Sequence, residues 1–282
     1  NSNIAVLGST NVIGKGDIVG TRLVLPLTGL DNYYHSLAVS FDYKNFKQAV
    51  QLGTDSLNTP IRYFPISLQY NGTQQDTNGT TQLGLGVHFS TRPLSERRIE
   101  CIPGVYEDQF ECKRHGAQAD FIYLRSDLQR QQTLPKDFIL SGRVSAQIAN
   151  QPLVNNEQFS AGGVETVRGY PESQLLGDNG FQGSVGLQTP RLPGDLIDWR
   201  MLVFVDGAYT HNYQTLDTDL SYGIMSTGFG MRIRSPDNLK GLRGLSAFSG
   251  ALDFAWPLRN FRNSTTNIQT GDMRVHFKVL LE

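Results

Sequence analysis

Apolar residues recur at every second position along almost the whole chain, and no stretch keeps a helical period for more than a turn or two. Leu83, Leu85, Val87 and Phe89 alternate with Gly84, Gly86, His88 and Ser90. The same beat runs through Leu140, Val144 and Ile148, through Trp199, Met201, Val203 and Val205, and through Met225, Phe229 and Ile233. It ends in Met273, Val275, Phe277, Val279 and Leu281. Runs at 4–6, 21–27, 37–43, 64–70, 117–123, 183–187 and 248–256 bring the count to about twelve strands, with a polar turn expected over 71–81. Successive strand side chains point to opposite faces, so each run presents one apolar face. This confines the fold class to all-β.

The composition of the second face separates a dry sandwich from a wet barrel. It carries Arg143, Ser145 and Gln147; Gln182, Ser184 and Gln188; Arg200 and Asp206; Arg232; Asp253; and Arg274, His276 and Lys278. A soluble sandwich would bury its apolar faces against each other. Here many runs approach the 9–11 residues that a tilted strand needs to cross a bilayer. Tyr43, Tyr70, Tyr123, Trp199, Tyr209 and Trp256 fall towards strand ends, as in interfacial aromatic girdles. Long connections at 91–116, 150–180 and 257–271 contrast with shorter ones at 29–36 and 190–198. The expectation is a transmembrane antiparallel β-barrel facing outer-membrane lipid, with a soluble all-β sandwich as the competing class. No apolar run is long enough for a transmembrane helix, which leaves a barrel untouched. The net charge of −1 and the scattered basic residues argue against a nucleic-acid partner. No secretory leader precedes Asn1, so the chain reads as a piece of a longer precursor.

Cys101 and Cys112 are the only cysteines and flank a short loop around Pro103 and Gly104. The spacing reads as a disulfide formed in an oxidising compartment. Free thiols are the alternative, and a zinc site would find only His115 nearby. No catalytic constellation emerges, and no cofactor or metal is expected. The five histidines are isolated. Ser160-Ala161-Gly162-Gly163 lacks the strand-to-helix context of a nucleophile elbow. Gly228-Phe229-Gly230 reads as close-packed strand interior rather than a phosphate loop.

One connection stands apart. Residues 162–178 are too long for a hairpin turn, rich in glycine, and carry Val164, Val167, Tyr170, Leu175 and Leu176, which need a surface to pack on. Arg168 stands at the centre. On these residues alone the loop is a surface connection with an incidental arginine.

Val167-Arg168-Gly169-Tyr170 resembles the VRGY signature of two-partner secretion transporters, the haemolysin secretion/activation proteins of the Omp85 superfamily. Phe204-Val205-Asp206-Gly207 resembles that family's second motif, on the second strand after the loop. Asn11-Val12-Ile13-Gly14-Lys15-Gly16 and Tyr34-His35-Ser36-Leu37 resemble stretches of its earlier strands. In this chain Gly207 precedes Ala208, the reverse of the usual order, and Glu282 ends it where such barrels usually end on an aromatic. The resemblance implies that residues 1–282 are the last part of a sixteen-stranded barrel, preceded in the whole protein by two periplasmic POTRA domains and a plug helix. It implies a bacterial outer-membrane conduit, not an enzyme, through which an unfolded haemolysin- or adhesin-like exoprotein crosses without ATP. Arg168 would enter the lumen and pair with Asp206, with Phe204 offering an aromatic face to the guanidinium or to Tyr170. The competing arrangement pairs Asp206 with Arg200 or Arg232. An Omp85-type barrel assembly factor and a passive porin or receptor remain the alternative functions.

Overall fold

The computed structural model describes residues 2–5, 10–52, 55–58, 60–102, 104–192, 198–213, 220–235, 248–262 and 266–281. Val6, Pro103 and Glu282, used in the sequence reading, lie outside them. Twelve strands follow one another as hydrogen-bonded neighbours in one antiparallel sheet. They are β1 (Ser2–Ala5), β2 (Thr10–Pro26), β3 (Tyr33–Leu52), β4 (Ile66–Asp76), β5 (Gly79–Phe89) and β6 (Ile122–Thr133), then β7 (Ile139–Ala149), β8 (Asn179–Gln188), β9 (Asp198–His211), β10 (Ser221–Arg234), β11 (Phe248–Pro257) and β12 (Arg274–Leu281). The short strands Asp55–Asn58 and Ile61–Tyr63 pair with β3. Among the described residues, β1 pairs only with β2 and β12 only with β11.

The alternation sorts side chains as the sequence pattern predicts. On β9, Val203 is 55% exposed and Val205 44%, whereas Phe204 is 3% and Asp206 1% exposed. Leu68, Leu85, Leu124, Leu128, Val144, Val185, Phe229 and Val275 also stand exposed, so one face is an apolar band that only an apolar solvent satisfies. Trp199 and Tyr209 lie exposed near the two ends of β9. The connections also sort by end. From β2 onward, those at 27–32, 77–78, 134–138, 189–197 and 235–247 share one end. The connections at 53–65, 90–121, 150–178, 212–220 and 258–273 share the other. Two of these, 90–121 and 150–178, hold nearly half of the buried apolar residues among the described ones. Phe110, Ala117, Ala119 and Phe121 pack with Leu153 and Val154. Phe159, Val167, Tyr170 and Leu175 pack on Ala208 and Ile224 of the sheet.

Two expectations need correction. The turn expected over 71–81 is only Thr77-Asn78, closed by the Asn78 N–H donating to Asp76 Oδ1 at 2.9 Å. The flanking residues are polar yet fully paired, from Asn71↔Gly84 to Asp76↔Gly79, because backbone pairing does not require apolar side chains. Residues 117–121 are loop rather than strand. Tyr123 then points to the inner face, 3% exposed, not to a girdle. The outer positions of β6 are Ile122, Leu124 and Leu128, and apolar residues of the covering loop had mimicked an alternating run one residue out of phase.

Candidate functional site

The connection 150–178 leaves β7 and forms a stalk by pairing Phe159–Ala161 with Leu175–Gly177. Its tip is held by its own backbone. The Gly163 N–H donates to the Val167 carbonyl at 3.2 Å, and the Gly162 N–H to Thr166 Oγ1 at 2.8 Å. Gly169 sits at φ +90°, where side-chain-bearing residues are strained. A Cβ there would also lie 3.3 Å from the Pro257 nitrogen, so the tip closes directly on the strand wall.

This geometry delivers Arg168 to Asp206. Nε lies 2.8 Å from Oδ2 and Nη2 2.8 Å from Oδ1, a two-pronged fork, and the Arg168 backbone N–H reaches Oδ2 at 3.2 Å. Ser184 Oγ donates to the same carboxylate at 2.6 Å. The guanidinium carbon stands 3.3 Å from the centre of the Phe204 ring. Nη1 reaches a second carboxylate, Asp253 Oδ2, at 3.4 Å. Burial acts to lower the Arg168 pKa, but hydrogen bonding and charge from Asp206 outweigh it and hold the group above its ordinary value. The cation is permanent, and its pairing is charge-assisted and bidentate.

The neighbours of Arg168 fix the rest of the tip. Val167 and Tyr170 are fully buried. The Tyr170 hydroxyl lies 2.7 Å from the Arg259 carbonyl and 3.0 Å from that of Met225, one proton between two acceptors. The Gly169 N–H donates to His276 Nε2 at 3.1 Å. Arg200 and Arg232 do not pair with Asp206. Arg200 reaches Asp137 at 2.8 Å, and Arg232 forks onto Asp253 at 2.5 and 2.9 Å. Gly207 is not part of the clasp; it pairs with Gly183 and Met225 across the sheet.

Several participants were not singled out from sequence. Asp253, Ser184 and His276 were assigned to the inner face without partners. Gly228 and Gly230, read as mere close packing, create the space the site needs. A Cβ on Gly228 would lie 2.5 Å from Phe204 Cζ. One on Gly230 would overlap the Asp253 carboxylate. Glu157 anchors the base of the loop, accepting from Lys44 Nζ at 2.6 Å, Tyr63 Oη at 2.5 Å and Tyr123 Oη at 2.8 Å. Burial first, then the Glu157 charge, pushes the Tyr63 phenol well above its usual pKa, keeping it the donor. In the neighbouring connection Cys101 and Cys112 are bonded, with Cα atoms 5.5 Å apart. Glu107 lies beside them, but sulfurs spent on each other leave no thiolate for a metal.

Comparison with known proteins agrees with this architecture. A model of the family described as haemolysin secretion/activation protein ShlB/FhaC/HecB matches residues 44–233. Among solved structures, CdiB from Escherichia coli superposes with a TM-score of 0.73 at 16% identity, covering 99% of this chain and 47% of its own. CdiB from Acinetobacter baumannii gives 0.60 at 14% identity, covering 96% and 42%. BamA from Haemophilus ducreyi lacking POTRA domains 1–3 gives 0.56 at 12% identity, covering 96% and 55%. The chain thus spans about half the length of these solved proteins. No curated protein sequence matches it.

Proposed function

Because the chain belongs to the haemolysin secretion/activation protein family ShlB/FhaC/HecB, an outer-membrane β-barrel family, we propose that it forms the conduit through which an unfolded exoprotein leaves the cell. On this reading residues 1–282 are all barrel wall and loops, and the long connections face the outside, as in outer-membrane barrels generally. The observation that carries the proposal is the fork of Arg168 on Asp206, which holds connection 150–178 against the inner face of the wall.

The inner face suits an unfolded passenger. Gln129, Gln131, Ser141 and Gln182 offer neutral hydrogen-bonding groups at inner-face positions of β6, β7 and β8. An extended backbone requires such partners once it leaves water. Nothing in transit needs ATP on this account; folding of the exoprotein outside would make the passage one-way. Arg168 pins the loop in the resting barrel, Phe204 orients the guanidinium, and Tyr170 and Val167 seat the tip.

The test is deletion of the full-length gene in a strain that makes a cognate exoprotein. The proposal expects the exoprotein to accumulate in the periplasm while other outer-membrane proteins keep their normal levels. General loss of outer-membrane proteins would instead identify an assembly factor. Undiminished secretion would reject the transport reading.

A further inference from the structure

A second buried arginine–aspartate pair joins the long connections to one another. Asp178, at the end of connection 150–178, is fully buried. Its carboxylate accepts from Arg114 Nη1 at 2.5 Å and Nη2 at 2.8 Å, from the Leu153 N–H at 2.8 Å and from the Tyr213 N–H at 2.9 Å. Arg114 also donates to the Leu153 carbonyl at 2.6 Å and to Asn212 Oδ1 at 3.1 Å. One ion pair therefore joins connections 90–121, 150–178 and 212–220.

The piece that carries Arg114 is tied together covalently and by strand pairing. Arg114 caps the short helix Gln109–Lys113, and the Cys101–Cys112 bond ties that helix to the strand pair Arg98–Ile102 and Val105–Asp108. Gln109, 1% exposed, exchanges hydrogen bonds with the Arg62 backbone at 2.7 and 2.9 Å, which adds connection 53–65. Four connections are thus fastened over one end of the sheet, and a covalently stapled segment supplies the hook.

We propose that Arg114 and Asp178 form an outer latch, separate from the Arg168–Asp206 clasp, that keeps the exit closed until a passenger displaces connection 150–178. Arg114 is a positioning residue. It holds the base of the loop whose tip carries Arg168, and its release frees connection 150–178 from the stapled segment, which stays anchored through Gln109. The parts concerning the exit and its passengers rest on the transport reading above, whereas the fastening of the connections to one another stands on the contacts alone.

The experiment uses the full-length protein and two readouts. In planar lipid bilayers without exoprotein, Arg114→Ala should raise open-state occupancy on the order of tenfold, the scale expected when a buried charge-assisted pair is lost. Heat-modifiability of the purified protein confirms that the barrel has assembled. Conductance identical to the parent's in an assembled Arg114→Ala barrel would overturn the latch. The second arm leaves the pair intact. Gln151 Nε2 donates to the Gln118 carbonyl at 2.9 Å, so Gln118→Cys with Gln151→Cys places thiols on the two connections. Joining them with a short bismaleimide should abolish secretion, while the unjoined double variant should secrete as the parent does. Undiminished secretion after complete cross-linking would overturn the proposal. Failure of the parent to secrete would count against the transport reading instead, and the conductance arm would still judge the latch.

Discussion

At the scale of single residues, the central pair has measurable consequences. Arg168→Ala leaves Asp206 with Ser184 as its remaining side-chain partner among the described residues, and losing such a bond costs on the order of 1–3 kcal/mol. That cost falls on loop attachment, since freeing the tip lets water reach the carboxylate. Barrel assembly should therefore stay near normal while secretion per assembled barrel falls steeply. Arg168→Lys should not rescue, because an ammonium cannot fork onto two oxygens or lie flat on Phe204. Asp206→Ala should match Arg168→Ala, and the double variant should be little worse than either; additive losses would show that the two act separately. Gly228→Val tests the space behind the pair. Its Cβ would meet Phe204 Cζ at 2.5 Å and the Phe254 carbonyl at 2.1 Å. Overpacking of this kind costs about 1–3 kcal/mol. Limited proteolysis should show faster cleavage within 150–178, and parental protection there would mean that Phe204 does not orient the guanidinium. The approach of Arg168 to Asp206 was legible only through the resemblance of two short motifs, one on connection 150–178 and one on β9, to a family's signatures. Asp253 was not, because alternation gives the face of a residue but not the stagger between strands. Asp253 pairs with Gly230, opposite Leu202 rather than Asp206.

At the scale of elements, the strands were legible wherever one face is apolar over several alternate positions. They were illegible where a hairpin continues through polar residues, as over Asn71–Asp76, and where apolar loop residues abut a strand, as before Ile122. The facing of β9 yields a direct test. Val203→Arg places charge on the exposed apolar band and should reduce the assembled fraction, equivalent to about 2–4 kcal/mol near the midplane. Gln129→Arg, on the inner face, should assemble as the parent does. The reverse result in heat-modifiability assays would put the register off by one residue. The disulfide belongs to this scale as well. It closes a segment of sequence separation 11 within one connection. Replacing both cysteines by serine should leave the barrel's melting temperature unchanged and speed protease cleavage between 98 and 112. A large drop in melting temperature would give the bond a wider role.

At the scale of the whole molecule, the chain is a strand wall with an apolar face, a polar face and a loop fastened across the latter. The architecture was legible from alternation and loop lengths. The fastening of the long connections to one another was not, because Glu157, Arg114 and Asp178 meet partners up to 113 positions away in sequence. Leu128 and Gln129 are adjacent on β6 and face opposite ways, so a photo-cross-linking amino acid at each, in the full-length protein secreting its exoprotein, asks the central question. Adducts are expected between the exoprotein in transit and position 129, with none at position 128. Equal labelling at both positions, or labelling at 128 alone, would contradict a path through the barrel.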